Sequence, residues 1–104
     1  MTKDNPMNFL NNINKLIHEP ARLMIMSYLV ILGTTDFVFL LKQTELTKGN
    51  LSSHLSKLEE ENYIKLEKVF QNKRPKTQIN ITELGMRQFH EYKNNIMNFL
   101  SIID

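Results

Sequence analysis

The apolar residues of this chain change their spacing twice, and that change limits the folds open to it. Up to Asn62 they recur mostly every three or four residues, from Tyr63 to Thr82 they alternate, and beyond Thr82 the helical spacing returns. The first spacing lines one face of a helix and the second one face of a strand. A chain of 104 residues with a single hairpin among helices is mainly α with a small β-hairpin, an α+β fold, and its length is that of one domain spanning 1–104. A domain of this size buries only about two-thirds of its unfolded surface, so a partner surface can add to its stability.

Within that frame the elements read in order. Phe9, Leu10, Ile13, Leu16 and Ile17 predict an amphipathic helix over 6–18, with Pro6 in its first turn. Pro20 interrupts it and opens a second helix over 20–32, apolar on most sides and so packed by neighbours on several faces; Gly33-Thr34-Thr35 ends it. Asp36 is a candidate N-cap for a short helix whose Phe37, Leu40 and Leu41 face inward, and Thr47 caps a longer one over 48–62. Together 36–62 make two helices about a tight joint. In the longer helix Leu51, Leu55 and Leu58 share a narrow arc, which leaves Asn50, Ser52, Ser53, Ser56 and Lys57 on other faces. Asn62 suits the left-handed conformation that ends a helix.

The alternation over 63–82 predicts two strands, with Ile64, Leu66, Lys68 and Phe70 on one side of the first, joined by a polar loop over Gln71 to Lys76. Thr82 caps the last helix, 83–104, where Phe89, Tyr92, Ile96, Phe99 and Ile103 step by three and four residues as on a helix-pairing seam.

Charge adds one asymmetry. The chain holds 13 Lys and Arg against 11 Asp and Glu, yet Lys68, Lys73, Arg74 and Lys76 fall in one segment without an acid. Such a cluster can meet a phosphate backbone. Cysteine is absent, which excludes disulfides and thiolate chemistry, and the longest apolar stretch, Leu23 to Leu32, is far below the roughly 18 residues of a membrane span. Met1 to Asn5 carry no leader pattern, so a cytoplasmic protein without membrane contact is the expectation.

The order of elements and a series of motifs now point to a family. Glu19-Pro20-Ala21-Arg22-Leu23, the run Leu46 to Glu59, Asn62-Tyr63-Ile64, Arg74-Pro75-Lys76-Thr77 and Ile81-Thr82-Glu83-Leu84-Gly85 follow one another between Pro20 and Tyr92 with little interruption. In that order they resemble the small single-domain MarR/ArsR-like winged helix-turn-helix transcriptional regulators. The sequence departs from the pattern in having Asn62 where glycine is common, and Thr44-Glu45 where a glycine often precedes the leucine.

The resemblance implies a recognition helix at 48–62, a wing in the hairpin 63–82, and N- and C-terminal helices that form a two-fold homodimer on double-stranded DNA. Thr47, Lys48, Asn50, Ser52, Ser53, Ser56 and Lys57 then meet DNA, the short polar side chains in the major groove, which is wide enough for such a helix, and Lys48 and Lys57 on phosphate. Arg74 and Lys76 serve the wing, Arg74 in the minor groove, with Lys73 and Thr77 as backbone contacts that position without reading sequence. The dimer seam combines Phe89, Tyr92, Ile96, Phe99 and Ile103 with Phe9, Ile13 and Leu16. The family also leaves room for a small-molecule effector, which nothing in the sequence identifies.

Other chemistry finds little support. No phosphate loop, paired-histidine metal motif or nucleophile elbow is present, so an enzyme and a cofactor are not expected. His90 and Glu91 lack the spaced ligand set of a closed metal site, and His18 reads as a helix-end residue. His54 flanks the buried arc of its helix, and the six methionines read as adaptable packing. The alternative reading is a winged helix that binds protein or RNA, because a fold does not fix a function.

Overall fold

In the computed structural model of the chain the described residues are 8–103, without the Phe9 side chain; Pro6, Met7 and the Phe9 side chain of the expected seam lie outside them. The elements run α1 (Phe9–Asn12), α2 (Pro20–Leu32), β1 (Thr34–Asp36), α3 (Phe37–Thr44), α4 (Lys48–Glu60), β2 (Ile64–Gln71), β3 (Arg74–Ile81) and α5 (Glu83–Ile103).

The expected helix over 6–18 does not form as such. α1 stops at Asn12, Ile13 is extended, and the Asn14 side-chain oxygen accepts from the Ile17 N–H at 3.1 Å, a local bond that competes with the helical ladder. Asn14 Nδ2 donates to the Tyr63 hydroxyl at 2.8 Å, and Ile13 and Ile17 turn into the core. His18 is correspondingly no helix end: its Nδ1 lies 2.7 Å from the Tyr92 hydroxyl.

α2 is the central helix. Its first turn is closed by Pro20 and by Glu19, whose carboxylate accepts from the Arg22 N–H at 2.8 Å, and its last by Gly33 at φ +77°. It touches α3, α4, α5, β1 and β3, burying Ile25, Met26 and Leu29, while Met24, Ile31 and Leu32 stay exposed. Asp36 caps α3 as its position predicts, accepting from the Phe39 N–H at 2.9 Å.

The sheet has three strands in the order β1-β3-β2, all antiparallel, where the sequence suggested only a hairpin. Thr34, Thr35 and Asp36 pair with Asn80, Ile79 and Gln78, so three residues after Gly33 become a strand by adding to the free side of β3. The expected loop over 71–76 is instead a two-residue turn. Asn72 and Lys73 have φ of +52° and +62°, the mirror-image turn that fits strand twist, and the ladder runs to Gln71 opposite Arg74. Pro75 therefore stands in a strand. Next to the closing pair it takes a non-hydrogen-bonded position toward β2, and β1 pairs no further along than Gln78, so its missing N–H is needed by neither neighbour.

β2 and β3 press Ile64, Leu66, Ile79 and Ile81 onto the helices, and one contiguous core joins them to Leu29, Leu40, Leu51, Leu55 and Leu58. Where β3 passes into α5, Thr82 acts three ways. Its hydroxyl donates to the carbonyls of Asn62 and Tyr63 and accepts from the Gly85 N–H at 2.9 Å. Gly85 lies so close to the chain at Tyr63 that an added Cβ would meet the Tyr63 carbonyl oxygen at 2.2 Å. Asn62 holds φ +64°, as a helix-ending asparagine should. Among the described residues no helix is long and apolar enough to cross a membrane.

Candidate nucleic-acid interface

α4 is positioned by its leucines. Leu51, Leu55 and Leu58 are buried, and the helix turns Thr47, Lys48, Asn50, Ser52, Ser53, Ser56 and Lys57 to solvent, so the whole polar set expected of a recognition helix shares the open side of this element. The Thr47 hydroxyl accepts from the Asn50 N–H at 3.1 Å and starts the helix. Thr47→Ala should lower stability by ~1 kcal/mol in chemical denaturation. Glu59, Glu60 and Glu61 lie exposed at the opposite end.

A second set of contacts fixes the pitch of α4 on the body. His54 is half-buried, with Nδ1 3.0 Å from the Arg22 guanidinium and 4.0 Å from the Glu19 carboxylate, and Arg22 Nε donates to the Leu16 carbonyl at 2.6 Å. Burial works to raise the pKa of Glu19, but the Arg22 backbone N–H, then His54 and Arg22 nearby, outweigh it and hold the carboxyl below its usual range. Sequence alone placed His54 at the edge of the buried arc; its partners come from α2.

Between the open side of α4 and the base of the wing lies a cleft of ≈ 510 Å³. Ser52 and Ser56 line one side, Glu67, Lys68 and Thr77 the other, with Phe37, Leu55 and Leu66 between them. Lys68 Nζ donates to the Thr77 hydroxyl at 3.0 Å, keeping the cation at the cleft. Lys68 was counted in the basic segment but not foreseen at the site; its parity with Leu66 on the strand was the available signal. Farther out, Lys73 occupies the turn and Arg74 the first place of β3, both exposed.

Lys76 differs from its neighbours. Its ammonium donates to Gln71 Oε1 at 2.8 Å and lies 3.3 Å from Asp36 Oδ2, so it ties the wing to the cap of α3. Thus the structure brings Ser52, Ser56 and Thr77 of the expected set together with Lys68 at one cleft, while giving Lys76 partners within the chain.

The eight residues expected at a dimer seam separate more widely. Ile13 and Tyr92 belong to the chain's own core, 7% and 6% exposed, and burial pushes the Tyr92 hydroxyl pKa up. Leu16, Phe89 and Ile96 pack partly against that core, Phe99 is half-buried, and Ile103 is open. Beyond Ile96, Met97, Leu100, Ile102 and Ile103 leave the end of α5 strongly apolar and exposed. Among the described residues no group of three or more metal-ligating side chains converges, His90 and Glu91 included.

A polar-faced helix beside a cation-lined hairpin is the arrangement of a winged helix, and the winged helix DNA-binding domain family matches residues 21–100. The chain belongs to the winged helix DNA-binding domain family. This winged helix is 33% identical over 90 residues to an uncharacterized protein of Methanocaldococcus jannaschii, across 86% of this chain and 98% of the relative. A transcriptional regulator homologue from Pyrococcus horikoshii OT3 is 31% identical, covers 88% of this chain and 90% of its own, and superposes with a TM-score of 0.83. The structure of NadR in complex with 4-hydroxyphenylacetate, 20% identical with a TM-score of 0.70 over 98% of this chain and 72% of that one, shares the fold. The family is one of DNA-binding regulators, not of enzymes.

Proposed function

We propose that this winged helix is a cytoplasmic, homodimeric transcriptional regulator that recognises a pseudo-palindromic site in double-stranded DNA. The observation that carries the reading is the cleft between α4 and the wing, where the short polar side chains of Ser52, Ser56 and Thr77 and the Lys68 ammonium face the same open space, with Glu67 beside them. A duplex seated there sets Asn50, Ser52, Ser53 and Ser56 at base edges of the major groove and Lys48, Lys57, Lys68 and Thr77 along the phosphates. Lys73 and Arg74 then follow the backbone toward the next minor groove.

The second subunit is proposed from α5. Its last turns expose Met97, Leu100, Ile102 and Ile103, a strip that a copy of itself can cover with the seam residues Ile96 and Phe99. Two recognition helices so related address half-sites about one helical turn, ~34 Å, apart. Ile96→Glu should give monomers in sedimentation, because a carboxylate would enter the apolar seam. A folded dimer would place the seam elsewhere.

Salt-dependent binding of the purified protein to random-sequence duplex, measured beside its sedimented mass, tests the reading. Affinity from a dimer that falls steeply with salt supports it. No binding at low salt would favour a winged helix that takes protein or RNA.

A further inference from the structure

Phe70 is an aromatic side chain left 74% exposed on a strand whose other large apolar residues are covered. Strand parity places it on the face that carries Ile64, Leu66 and Lys68, and Leu66 and Lys68 line the cleft beside α4. The hairpin outruns the helices beneath it, so this inward face emerges at its far end with Phe70 directly opposite Pro75. Lys68 shares that face and Lys73 sits in the adjoining turn, while Arg74 follows on the opposite face. Of the nearby acids, Glu67 lines the cleft beside Lys68, and Asp36 is bridged by Lys76.

An apolar tip flanked by cations suits one kind of surface better than others. The centre of a protein interface is depleted of charge, whereas the minor groove combines phosphate walls with a floor of stacked base pairs into which apolar side chains can wedge. We propose that Phe70, backed by Pro75, is a minor-groove wedge that partly unstacks one base step and bends the duplex away from the wing, toward the major groove of that step. This rests on the DNA-binding reading above and adds to it a way of selecting sequence without a hydrogen bond: pyrimidine–purine steps, which unstack most readily, are favoured under the wing.

The test uses the full chain, a duplex selected from a random pool by the unaltered protein, and donor and acceptor dyes on the two DNA ends. Phe70→Ala removes an exposed ring and no charge. Its affinity should fall roughly five- to a hundredfold, the range of base–aromatic stacking, with the salt slope unchanged and the end-to-end energy transfer returned to that of free DNA. Phe70→Leu should keep part of the bend. If the unaltered protein binds and Phe70→Ala binds and bends the duplex as well, the wedge is overturned and DNA binding stands. Failure of the unaltered protein to bind any duplex at low salt overturns both.

Discussion

Gly85→Ala is expected to be the most damaging single methyl group that can be added to this chain. The new Cβ would stand 2.2 Å from the Tyr63 carbonyl oxygen and 3.1 Å from the Ile81 side chain, and the nearer neighbour is backbone, which cannot rotate aside. α5 would have to lift from the junction where Thr82 links Asn62, Tyr63 and Gly85. Overpacking of this kind costs ~3 kcal/mol, against which the better helix propensity of alanine returns under ~1 kcal/mol. For a domain of this size that lowers the melting temperature by ~10 °C or more. Gly49→Ala is the matched control: an added Cβ there meets nothing within 4 Å, so it should raise stability by ~0.5–1 kcal/mol. Thermal unfolding of the two variants side by side gives opposite signs; a Gly85→Ala protein as stable as its parent would show that the helix and strand do not approach so closely.

The largest expected effect on binding comes from the double variant Lys73→Ala/Arg74→Ala. Both cations are exposed at the end of the hairpin and belong to no ion pair that holds the fold together. If each meets the DNA backbone, the slope of log affinity against log salt falls by ~0.9 per contact, about 1.8 for each wing, and affinity at low salt falls by roughly tenfold to a hundredfold on every sequence. An unchanged slope would remove the wing tip from the interface. Lys76→Ala is expected to behave otherwise, because this ammonium serves Asp36 and Gln71: a small change in slope, with a loss in stability of up to ~1 kcal/mol from a half-exposed pair.

What could be read from the sequence was whatever is local. Thr47, Asp36 and Thr82 announce their caps because a capping side chain binds within three residues of itself, and Asn62 because it tolerates the left-handed backbone that ends a helix. The leucine arc of α4 and the alternation of the hairpin follow from period alone, and with them the open polar side of the recognition helix. What was hidden depends on residues far apart. β1 is three residues that become a strand only because β3 offers an edge 42 to 46 positions later. The helix expected over 6–18 is cut short by Asn14, whose amide finds Tyr63. Lys76 looked like its neighbours until Asp36 stood beside it. Ile13 and Tyr92 fit the spacing of a seam equally well on either side of the core boundary, and only the folded chain shows that they lie inside it.

The two-residue turn of the wing has an entropic consequence. A loop of six free residues would have to be immobilised when it met a surface, at ~1–2 kcal/mol for each backbone fixed. This hairpin is zipped to its last pair, Gln71 opposite Arg74, with only Asn72 and Lys73 outside the ladder. Its shape is set when the chain folds, so little conformational freedom remains to be surrendered on contact. In the proposed complex the wing behaves as a stiff finger, and the attraction between its cations and the phosphates is then not offset by the ordering of a slack loop.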